Sequence, residues 1–293
     1  MGVGEWFSDF CSKLRMSDSV VLNVRTRYQR ITKRINIEYW DSSSEIAHSI
    51  YVGSYGRGTA IYTSDIDMIV ELPWSVKTRM DSHFGNKQSD LLTEVKNKLL
   101  NEYASSKVSS DGQVVVIDFS DGIRFEVVPA FKNSDGSYCY PDTNNGGSWK
   151  SMDPKREMDS FNVRNNEHNK TMKKVCRMIR AWNTECNVTL PGDLIDAMVY
   201  DFYFSNGYVD KAPYTYFDWI SRDFYKYIND NAILKTWFSP GTYRSIVPKY
   251  RYDLQSKAKS AYDRSLKAIE YEKDNPNSAK AEWRKIYGSR FPQ

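Results

Sequence analysis

Apolar residues near the start of the chain recur every three or four positions, which is the spacing of one side of a helix. The stripe consists of Val21, Val24, Tyr28, Ile31 and Ile35. Lysines and arginines fall mostly off this stripe, and the polar residues 17–19 offer a cap for the first turn. The pattern predicts a long helix that packs one side onto a core.

A strand pattern follows this helix. The short apolar run Ile50–Val52 leads into a glycine- and serine-rich loop from Gly53 to Gly58. The next run, Asp65–Leu72, is closed by Pro73 and places apolar residues at alternate positions. We therefore expect two strands joined by a loop.

Two further apolar runs flank a turn. Val114–Phe119 and Ile123–Val128 lie on either side of Asp121-Gly122, a dipeptide typical of two-residue hairpin turns. Upstream of them, Ser89 can cap an amphipathic helix. The first half of the chain is therefore predicted to mix helices and strands.

Helical patterns dominate after a polar, glycine- and asparagine-rich stretch at 142–151. Asp153 and Pro154 form a typical helix start. Residues 171–182 carry apolar side chains on one side and basic ones, Arg180 among them, nearly opposite. Two more helices are predicted, over 254–272 and 278–287.

The length agrees with two lobes, since 293 residues leave room for about two domains of typical size. We place the boundary near residue 150. Residues 1–150 then form a mixed lobe with the long N-terminal helix, and residues 151–293 form a largely helical one. The predicted fold class is α+β.

Composition excludes several classes of protein. The chain is 40% hydrophobic and 27% charged, and its net charge is 41 − 37 = +4, which is typical of a globular protein. No uncharged run reaches the ~20 residues that cross a bilayer, and no apolar signal segment is present, so we expect a cytoplasmic protein. A sequence pI near 8.6 argues against binding long nucleic acid. The four cysteines, which form no Cys-x-x-Cys pair, and three scattered histidines predict reduced thiols and no zinc site.

Two acids begin the run Asp65–Leu72. Because side chains alternate along a strand, Asp65 and Asp67 share the face opposite Ile66 and Met68. Paired carboxylates repel one another, and a bound Mg²⁺ removes that cost. Glu126, whose strand neighbours are apolar, is a candidate third ligand. Alternatively, these are ordinary acids of a solvated strand edge, or the Asp-x-Asp of a sugar-nucleotide transferase.

A turn of small residues, Gly53–Thr59, precedes these acids and places Ser54 11 residues before Asp65. Small residues let backbone N–H groups approach a phosphate, and the Ser54 hydroxyl adds a donor. The turn is not a Walker A loop, because no Gly-Lys-Ser/Thr follows. The turn indicates phosphate binding only because it lies before an Asp-x-Asp strand.

The order of these motifs resembles that of the nucleotidyltransferases of the DNA polymerase β superfamily. More narrowly, the chain is similar to the cyclic GMP-AMP synthase/DncV-like nucleotidyltransferases (CD-NTases, SMODS type), which are bacterial relatives of cyclic GMP-AMP synthase and the oligoadenylate synthases. The similarity runs from residue 50 to the C-terminus. Its blocks are 53–59 with 65–67, 125–130, Trp149 with Asp153-Pro154, 174–183 and 283–292.

The resemblance implies a polymerase β-like core with a central sheet and a helical C-terminal lobe that closes the active-site cleft. It implies that Asp65, Asp67 and Glu126 hold two Mg²⁺ ions, for which Mn²⁺ can substitute. Glu126 stands where the wider superfamily commonly has aspartate. Gly53 and Ser54 would grip the β- and γ-phosphates of the substrate, with ATP and GTP as the expected NTPs.

Basic residues are further candidates for phosphate binding. Arg180 matches a position where relatives carry a lysine that faces the triphosphate. Lys174 and its basic neighbours either share this role or form a solvated helix face. Arg57 either neutralises phosphate or bonds the turn backbone. Leu194 occupies the place of the aromatic residue that stacks on the nucleobase in relatives, so the stacking residue is not identified.

The resemblance further implies a template-independent enzyme that makes a cyclic di- or trinucleotide second messenger in bacterial anti-phage defence (CBASS), with a separate effector for the product. The alternatives are transfer of a nucleotide to an RNA, protein or small-molecule acceptor, and a non-catalytic nucleotide sensor. Intact acids argue against the sensor. The segment Trp283–Gln293 is either a docking tail for a regulatory protein or a helix packed on the N-terminal one.

Overall fold

The computed structural model describes residues 2–63, 65–205 and 213–293. The chain divides into two compact units. The sheet unit contains residues 17–57 and 63–155, and the helical unit contains residues 1–16, 58–62 and 156–293. The predicted lobes are continuous in sequence, whereas two short segments of the first half group with the helical unit.

Helices and strands alternate in the first half, and helices dominate the second. The helices are α1 (Val3–Lys13), α2 (Asp18–Tyr39), α3 (Gly53–Arg57), α4 (Trp74–Asp81), α5 (Lys87–Leu100), α6 (Pro154–Glu167), α7 (Met172–Glu185), α8 (Gly192–Ser205), α9 (Phe217–Asn231), α10 (Arg251–Tyr271) and α11 (Pro276–Tyr287). The strands are β1 (Ser49–Tyr51), β2 (Ile66–Glu71), β3 (Lys107–Asp111), β4 (Val114–Asp118), β5 (Arg124–Lys132), β6 (Tyr138–Asp142), β7 (Ser148–Met152), β8 (Trp237–Phe238) and β9 (Ser245–Ile246).

The sheet unit contains a mixed sheet in the order β1-β2-β5-β4-β3, which β6 and β7 extend from β5. Strands β2 and β5 run parallel, and the other neighbours are antiparallel. A parallel pair needs a long crossover, which α4, α5, β3 and β4 supply here. The sheet therefore joins two strands that lie more than 50 residues apart in the sequence at the centre of the unit.

The predicted hairpin is confirmed in β4 and β5, but its turn differs. The N–H of Gly122 donates to the carbonyl of Phe119 (3.0 Å), so Ser120 and Asp121 are the central residues. Gly122 has a φ of +84°, whereas Asp121 does not take the left-handed conformation that a two-residue type I′ turn requires at both positions. The predicted Asp121-Gly122 turn was therefore wrong by one residue.

The long helix α2 is confirmed, with Ser17 as its cap. Its buried apolar residues are Val24, Tyr28, Ile31 and Ile35, whereas Val21 is 40% exposed. The later helix α5 begins at Lys87, because the side chain of Asn86 accepts the N–H of Ser89 (3.0 Å). The prediction that Ser89 is the cap was wrong.

The helical unit packs around an aromatic core. Its largest fully buried side chains include Trp182, Trp237, Trp283, Tyr203 and Tyr225. Both helices predicted near the C-terminus are confirmed, although α10 and α11 begin a few residues early. In α11 this is because Asn275 caps the helix, with Pro276 at its first turn.

The C-terminal segment packs against α1. The ring of Phe7 lies 5.2 Å from those of Trp283 and Phe291 and 6.4 Å from that of Tyr287. All four side chains are buried. The segment therefore packs on a helix near the N-terminus that precedes the predicted long helix, and docking of a regulatory protein on it stays a prediction.

None of the described helices combines the length and the apolar composition that crossing a membrane requires. Cys11 and Cys176 are buried, Cys139 and Cys186 are half-buried, and all four are free thiols. The prediction of reduced thiols therefore agrees with the structure.

Candidate active site

The predicted metal-binding acids lie on neighbouring strands. The register of β2 and β5 pairs Asp67 directly with Glu126. Paired residues of adjacent strands point to the same face of a sheet, with Cβ atoms roughly 5 Å apart. Asp65 precedes β2 by one residue and, by the two-residue period, faces the same way. The opposite face of β2 is filled by Ile66, Met68 and Val70, which are buried.

The glycine-rich segment after β1 is attached to the same strand. It forms the one-turn helix α3, so the predicted loop over 53–58 was wrong. The N–H of Val52 donates to the carbonyl of Asp67 (2.9 Å). Gly53 has a φ of +59°, and a Cβ on it would lie 1.8 Å from Oδ2 of Asp67. Only glycine therefore lets the turn approach this carboxylate so closely.

Ser54 and Arg57 occupy different environments within α3. Ser54 follows Gly53 directly and is half-buried. Arg57 ends the helix and is buried, with 8% of its surface exposed. The structure thus places the Ser54 hydroxyl at the turn that contacts β2, and the phosphate roles of both residues remain predictions.

An arginine lies among the acids. Nη1 of Arg124 is 3.2 Å from Oδ1 of Asp118, which faces it across β4 and β5. Its Nε is 3.4 Å from Oε1 of Glu126 and 4.0 Å from Oδ2 of Asp65. One guanidinium therefore bridges three carboxylates from separate positions of the sheet.

The electrostatics of Asp65 reflect these neighbours. Partial burial raises the pKa of Asp65 above its ordinary value, the Arg124 guanidinium lowers it in part, and the Asp118 carboxylate raises it further. A nearby cation favours the charged form of a carboxyl group, and a nearby anion disfavours it. Burial is therefore the main cause of the raised pKa of Asp65, and the charges of Arg124 and Asp118 act on it in opposite directions.

The residues present fit a site for Mg²⁺ or Mn²⁺. Carboxylate oxygens are the ligands that these hard cations prefer. Among the described residues, however, no three His, Cys, Asp or Glu side chains are gathered closely enough to hold an ion. The register sets Asp67 beside Glu126, so these two carboxylates share one face of the sheet.

Arg180 has a structural environment in the helical unit. It is buried, with 6% of its surface exposed. Its Nη1 donates to Oδ1 of Asp196 (2.6 Å), and its Nη2 donates to the carbonyl of Gly192 (2.9 Å). The hydroxyl of Thr59 donates to the other oxygen of Asp196 (2.9 Å). The predicted place of Arg180 nearly opposite the apolar stripe was wrong, because the side chain is buried as the counter-charge of a buried aspartate in α8. Contact of Arg180 with a triphosphate remains a prediction.

The other basic residues of α7 are half-buried. Nζ of Lys174 lies 4.4 Å from the ring centre of Tyr214, in cation–π geometry. Nζ of Lys173 donates to Asn162 (2.6 Å), and burial lowers the pKa of this lysine, an effect to which the charge of Arg177 adds. A fully solvated helix face therefore does not describe these side chains, and phosphate binding by Lys174 remains a prediction.

Three charged residues of these sites escaped the sequence analysis. Arg124 lies two residues before Glu126, so strand alternation alone could have placed it beside the acids. Asp118 depends on the hairpin register, and Asp196 on the packing of two helices. Leu194, for which the resemblance implies the place of the stacking aromatic residue, is fully buried.

Comparisons with known proteins agree with the family resemblance of the sequence motifs. A family model described as the Second Messenger Oligonucleotide or Dinucleotide Synthetase (SMODS) domain matches residues 1–165. A Bacillus cereus (strain VD146) protein named "Probable cyclic nucleotide synthase" is 23% identical over 176 residues, which cover 57% of this chain and 51% of that protein. The chain thus spans about half the length of this curated relative.

Solved structures show the fold. Escherichia coli MS115-1 CdnC, in its complex with HORMA-deltaN, matches with a TM-score of 0.76 at 16% identity, over 99% of this chain and 98% of that chain. Vibrio cholerae DncV cyclic AMP-GMP synthase, in complex with the linear intermediate 5′ pppA(3′,5′)pG, matches with a TM-score of 0.72 at 16% identity, over 96% and 93%. The predicted α+β fold and the predicted resemblance are confirmed. Since the family model covers more than half of the chain, the protein belongs to the second messenger oligonucleotide or dinucleotide synthetase family.

Proposed function

We propose that the protein is a template-independent nucleotidyltransferase that joins NTPs through phosphodiester bonds and closes the product into a cyclic di- or trinucleotide. The observation that carries this proposal is the pairing of Asp67 with Glu126 across parallel strands, with the Gly53 turn packed against Asp67. This arrangement brings the turn and the acids of the motif together within the sheet unit.

Each residue has a role in this proposal. Asp65, Asp67 and Glu126 would hold two Mg²⁺ ions, which supply activation of a ribose hydroxyl and stabilisation of the departing pyrophosphate. Gly53 leaves its backbone open to the β- and γ-phosphates, and Ser54 donates its hydroxyl to them. The attacking oxygen forms a bond to the α-phosphorus as the bond to pyrophosphate breaks.

The basic residues differ in how readily they could bind a phosphate. Lys174 is half-buried on the Tyr214 ring, and among the described residues it forms no ion pair with a buried acid that would have to break before it binds a phosphate. Arg57 and Arg180 are both buried. For Arg180, contact with a triphosphate would require separation from Asp196, so its main contribution in this proposal is to the fold.

The names and complexes of the relatives support the finer proposal. The Vibrio cholerae protein was solved with a linear intermediate, and we infer two successive transfers, the second of which closes the ring. The Escherichia coli protein was solved with HORMA-deltaN, and we include a protein regulator in the proposal. The proposed setting is bacterial anti-phage signalling in the cytoplasm, with a separate effector that binds the product.

The test is product analysis. Purified protein is incubated with Mg²⁺ or Mn²⁺ and α-labelled NTPs, treated with phosphatase, and the products are resolved by chromatography and mass spectrometry. We expect a phosphatase-resistant product with the mass of a cyclic oligonucleotide. Asp67→Asn should abolish this product, whereas the matched control Asp121→Asn, in the hairpin turn of the same unit, should retain it.

Other outcomes would contradict the proposal. Label retained on RNA, protein or a small molecule would instead show transfer to an acceptor. NTP binding without turnover with either metal, also after the addition of a protein regulator, would show a nucleotide sensor.

A further inference from the structure

Two observations at the acids of the sheet unit belong together. Arg124 contacts three carboxylates, those of Asp65, Asp118 and Glu126. Within the part of the chain that the structure describes, the acids are not gathered around a common cation position. A guanidinium is always charged, so it competes with any metal ion for the same oxygens.

The contacts of Arg124 are graded. The shortest is to Asp118, at 3.2 Å, and that residue is also its direct partner across β4 and β5. The contacts to Glu126 and Asp65 are longer, at 3.4 Å and 4.0 Å. Because 40% of the Arg124 side chain is exposed, its guanidinium has room to swing between these partners. Asp118 is therefore the anchor, and the other two carboxylates are held more weakly.

We propose that Arg124 is a positioning residue that compensates the charge of Asp65 and Glu126 before a metal binds, and that it must withdraw onto Asp118 for the metal to bind. The inference rests on the proposed function, because it takes Asp65, Asp67 and Glu126 as the metal ligands. Arg124 then weakens metal affinity, and Asp118 strengthens it by drawing the guanidinium away. The two residues have opposite effects on the same equilibrium.

The test measures Mn²⁺ binding to the full chain without nucleotide, from the loss of the free Mn²⁺ signal in electron paramagnetic resonance. Arg124→Gln should tighten binding about tenfold, since it removes a unit charge close to the ion. Arg124→Lys keeps the charge, so its affinity should stay near that of the wild type. Asp118→Asn should weaken binding, because the guanidinium then turns to Glu126 and Asp65.

A double-mutant cycle isolates the action of Asp118 through Arg124. In the Arg124→Gln background, Asp118→Asn should weaken Mn²⁺ binding by a smaller factor than in the wild type. The control is Arg27→Gln, which removes an equal charge from another arginine–aspartate pair of the sheet unit, at 2.8 Å from Asp121. Its Mn²⁺ affinity should equal that of the wild type. Circular dichroism and thermal unfolding in EDTA show that each variant is folded.

The measurements distinguish a failure of the role proposed for Arg124 from a failure of the metal site. If the wild type binds Mn²⁺ more tightly than Asp67→Asn, but Arg124→Gln binds no more tightly than the wild type, the role of Arg124 is overturned and the metal site stands. Equal effects of Asp118→Asn in both backgrounds would also overturn it. If the wild type and Arg124→Gln both bind no more Mn²⁺ than Asp67→Asn, the metal site fails, and with it the proposed function.

Discussion

The acids of the sheet unit and the helix pair α7–α8 of the helical unit each contain an arginine among carboxylates, yet the two regions differ. In the sheet unit, the side chain of Arg124 is 40% exposed, and its contacts range from 3.2 Å to 4.0 Å. In the helical unit, the side chains of Arg180 and Asp196 are 7% and 1% exposed and lie 2.6 Å apart. Only the first arrangement can change its partners at little cost.

The difference teaches that burial, and not charge pattern, separates an arginine that can exchange partners from one that is fixed in the fold. An exposed ion pair contributes about 0–1 kcal/mol to stability. Removal of one partner from a buried pair costs about 3–5 kcal/mol, because the remaining charge has lost both water and counter-charge. The same residue types therefore serve a changeable site in one unit and a fixed one in the other.

The largest expected effect is that of Asp67→Asn in the sheet unit. We expect kcat/KM for nucleotidyl transfer to fall at least about 1,000-fold, since the proposed metal ligand loses its charge. The free energy of unfolding should change less than in Arg180→Met, because Asp67 is half-buried, whereas Arg180 and Asp196 are both buried. Product formation from labelled NTPs and urea unfolding measure the two quantities. Retained activity would remove Asp67 from the site.

Arg180→Met tests the helical unit, where the expected effect is on stability and not on activity. We expect the free energy of unfolding to fall by about 3–5 kcal/mol, because Asp196 is left buried without its counter-charge. The double variant Arg180→Met/Asp196→Leu should recover part of this loss. Urea denaturation provides the measurement. An unchanged stability together with a raised KM for NTP would instead favour contact between Arg180 and the triphosphate.

Gly53→Ala tests how closely the turn must approach the acids. The new Cβ would collide with the Asp67 carboxylate at 1.8 Å, and a shift of about 1 Å in a catalytic group can reduce the rate roughly 100-fold. The matched control is Gly136→Ala, since Gly136 has a φ of +89° and open space around its Cβ position. Both variants place alanine at a positive φ and so carry the same kind of backbone strain. A rate loss that occurs only in Gly53→Ala therefore results from the collision of its Cβ with the Asp67 carboxylate. Equal losses would contradict it.

Glu272→Gln should have the smallest effect, on the pH dependence of stability in the helical unit. Burial, and next the neighbouring Asp218 carboxylate, raise the pKa of Glu272 from 4.5 to about 8. Between these values the folded protein holds a proton that the unfolded chain has lost. The free energy of unfolding of the wild type should therefore fall as pH rises from about 5 to about 8.

Because glutamine does not titrate, the free energy of unfolding of Glu272→Gln should fall by about 1–2 kcal/mol less than that of the wild type over this pH range. The difference is modest because Glu272 is only half-buried, so that solvent screens its charge. Urea unfolding at several pH values measures the difference. Glu270→Gln, at an exposed position of α10, is the control and should follow the wild type. Parallel pH profiles for all three proteins would rule out a contribution from Glu272.

Local patterns were sufficient for the elements that create the candidate site. Period-two alternation predicted that Asp65 and Asp67 share a face, and the apolar stripe predicted α2. Details that depend on a single hydrogen bond were wrong, as at the cap of α5, where Asn86 replaces Ser89. Competing caps a few residues apart differ little in free energy, so the surrounding packing selects between them.

By itself, the sequence determined the α+β class, the acids on one strand face and the family of the chain, because these depend on residue type at short spacing. Only the tertiary structure decided that Glu126 lies opposite Asp67. It also decided that Arg124 contacts Asp65, Asp118 and Glu126, and that Arg180 is turned inward to Asp196. Strand register and helix packing set these contacts between residues far apart in the chain. Their free energies depend on burial, which no local pattern records.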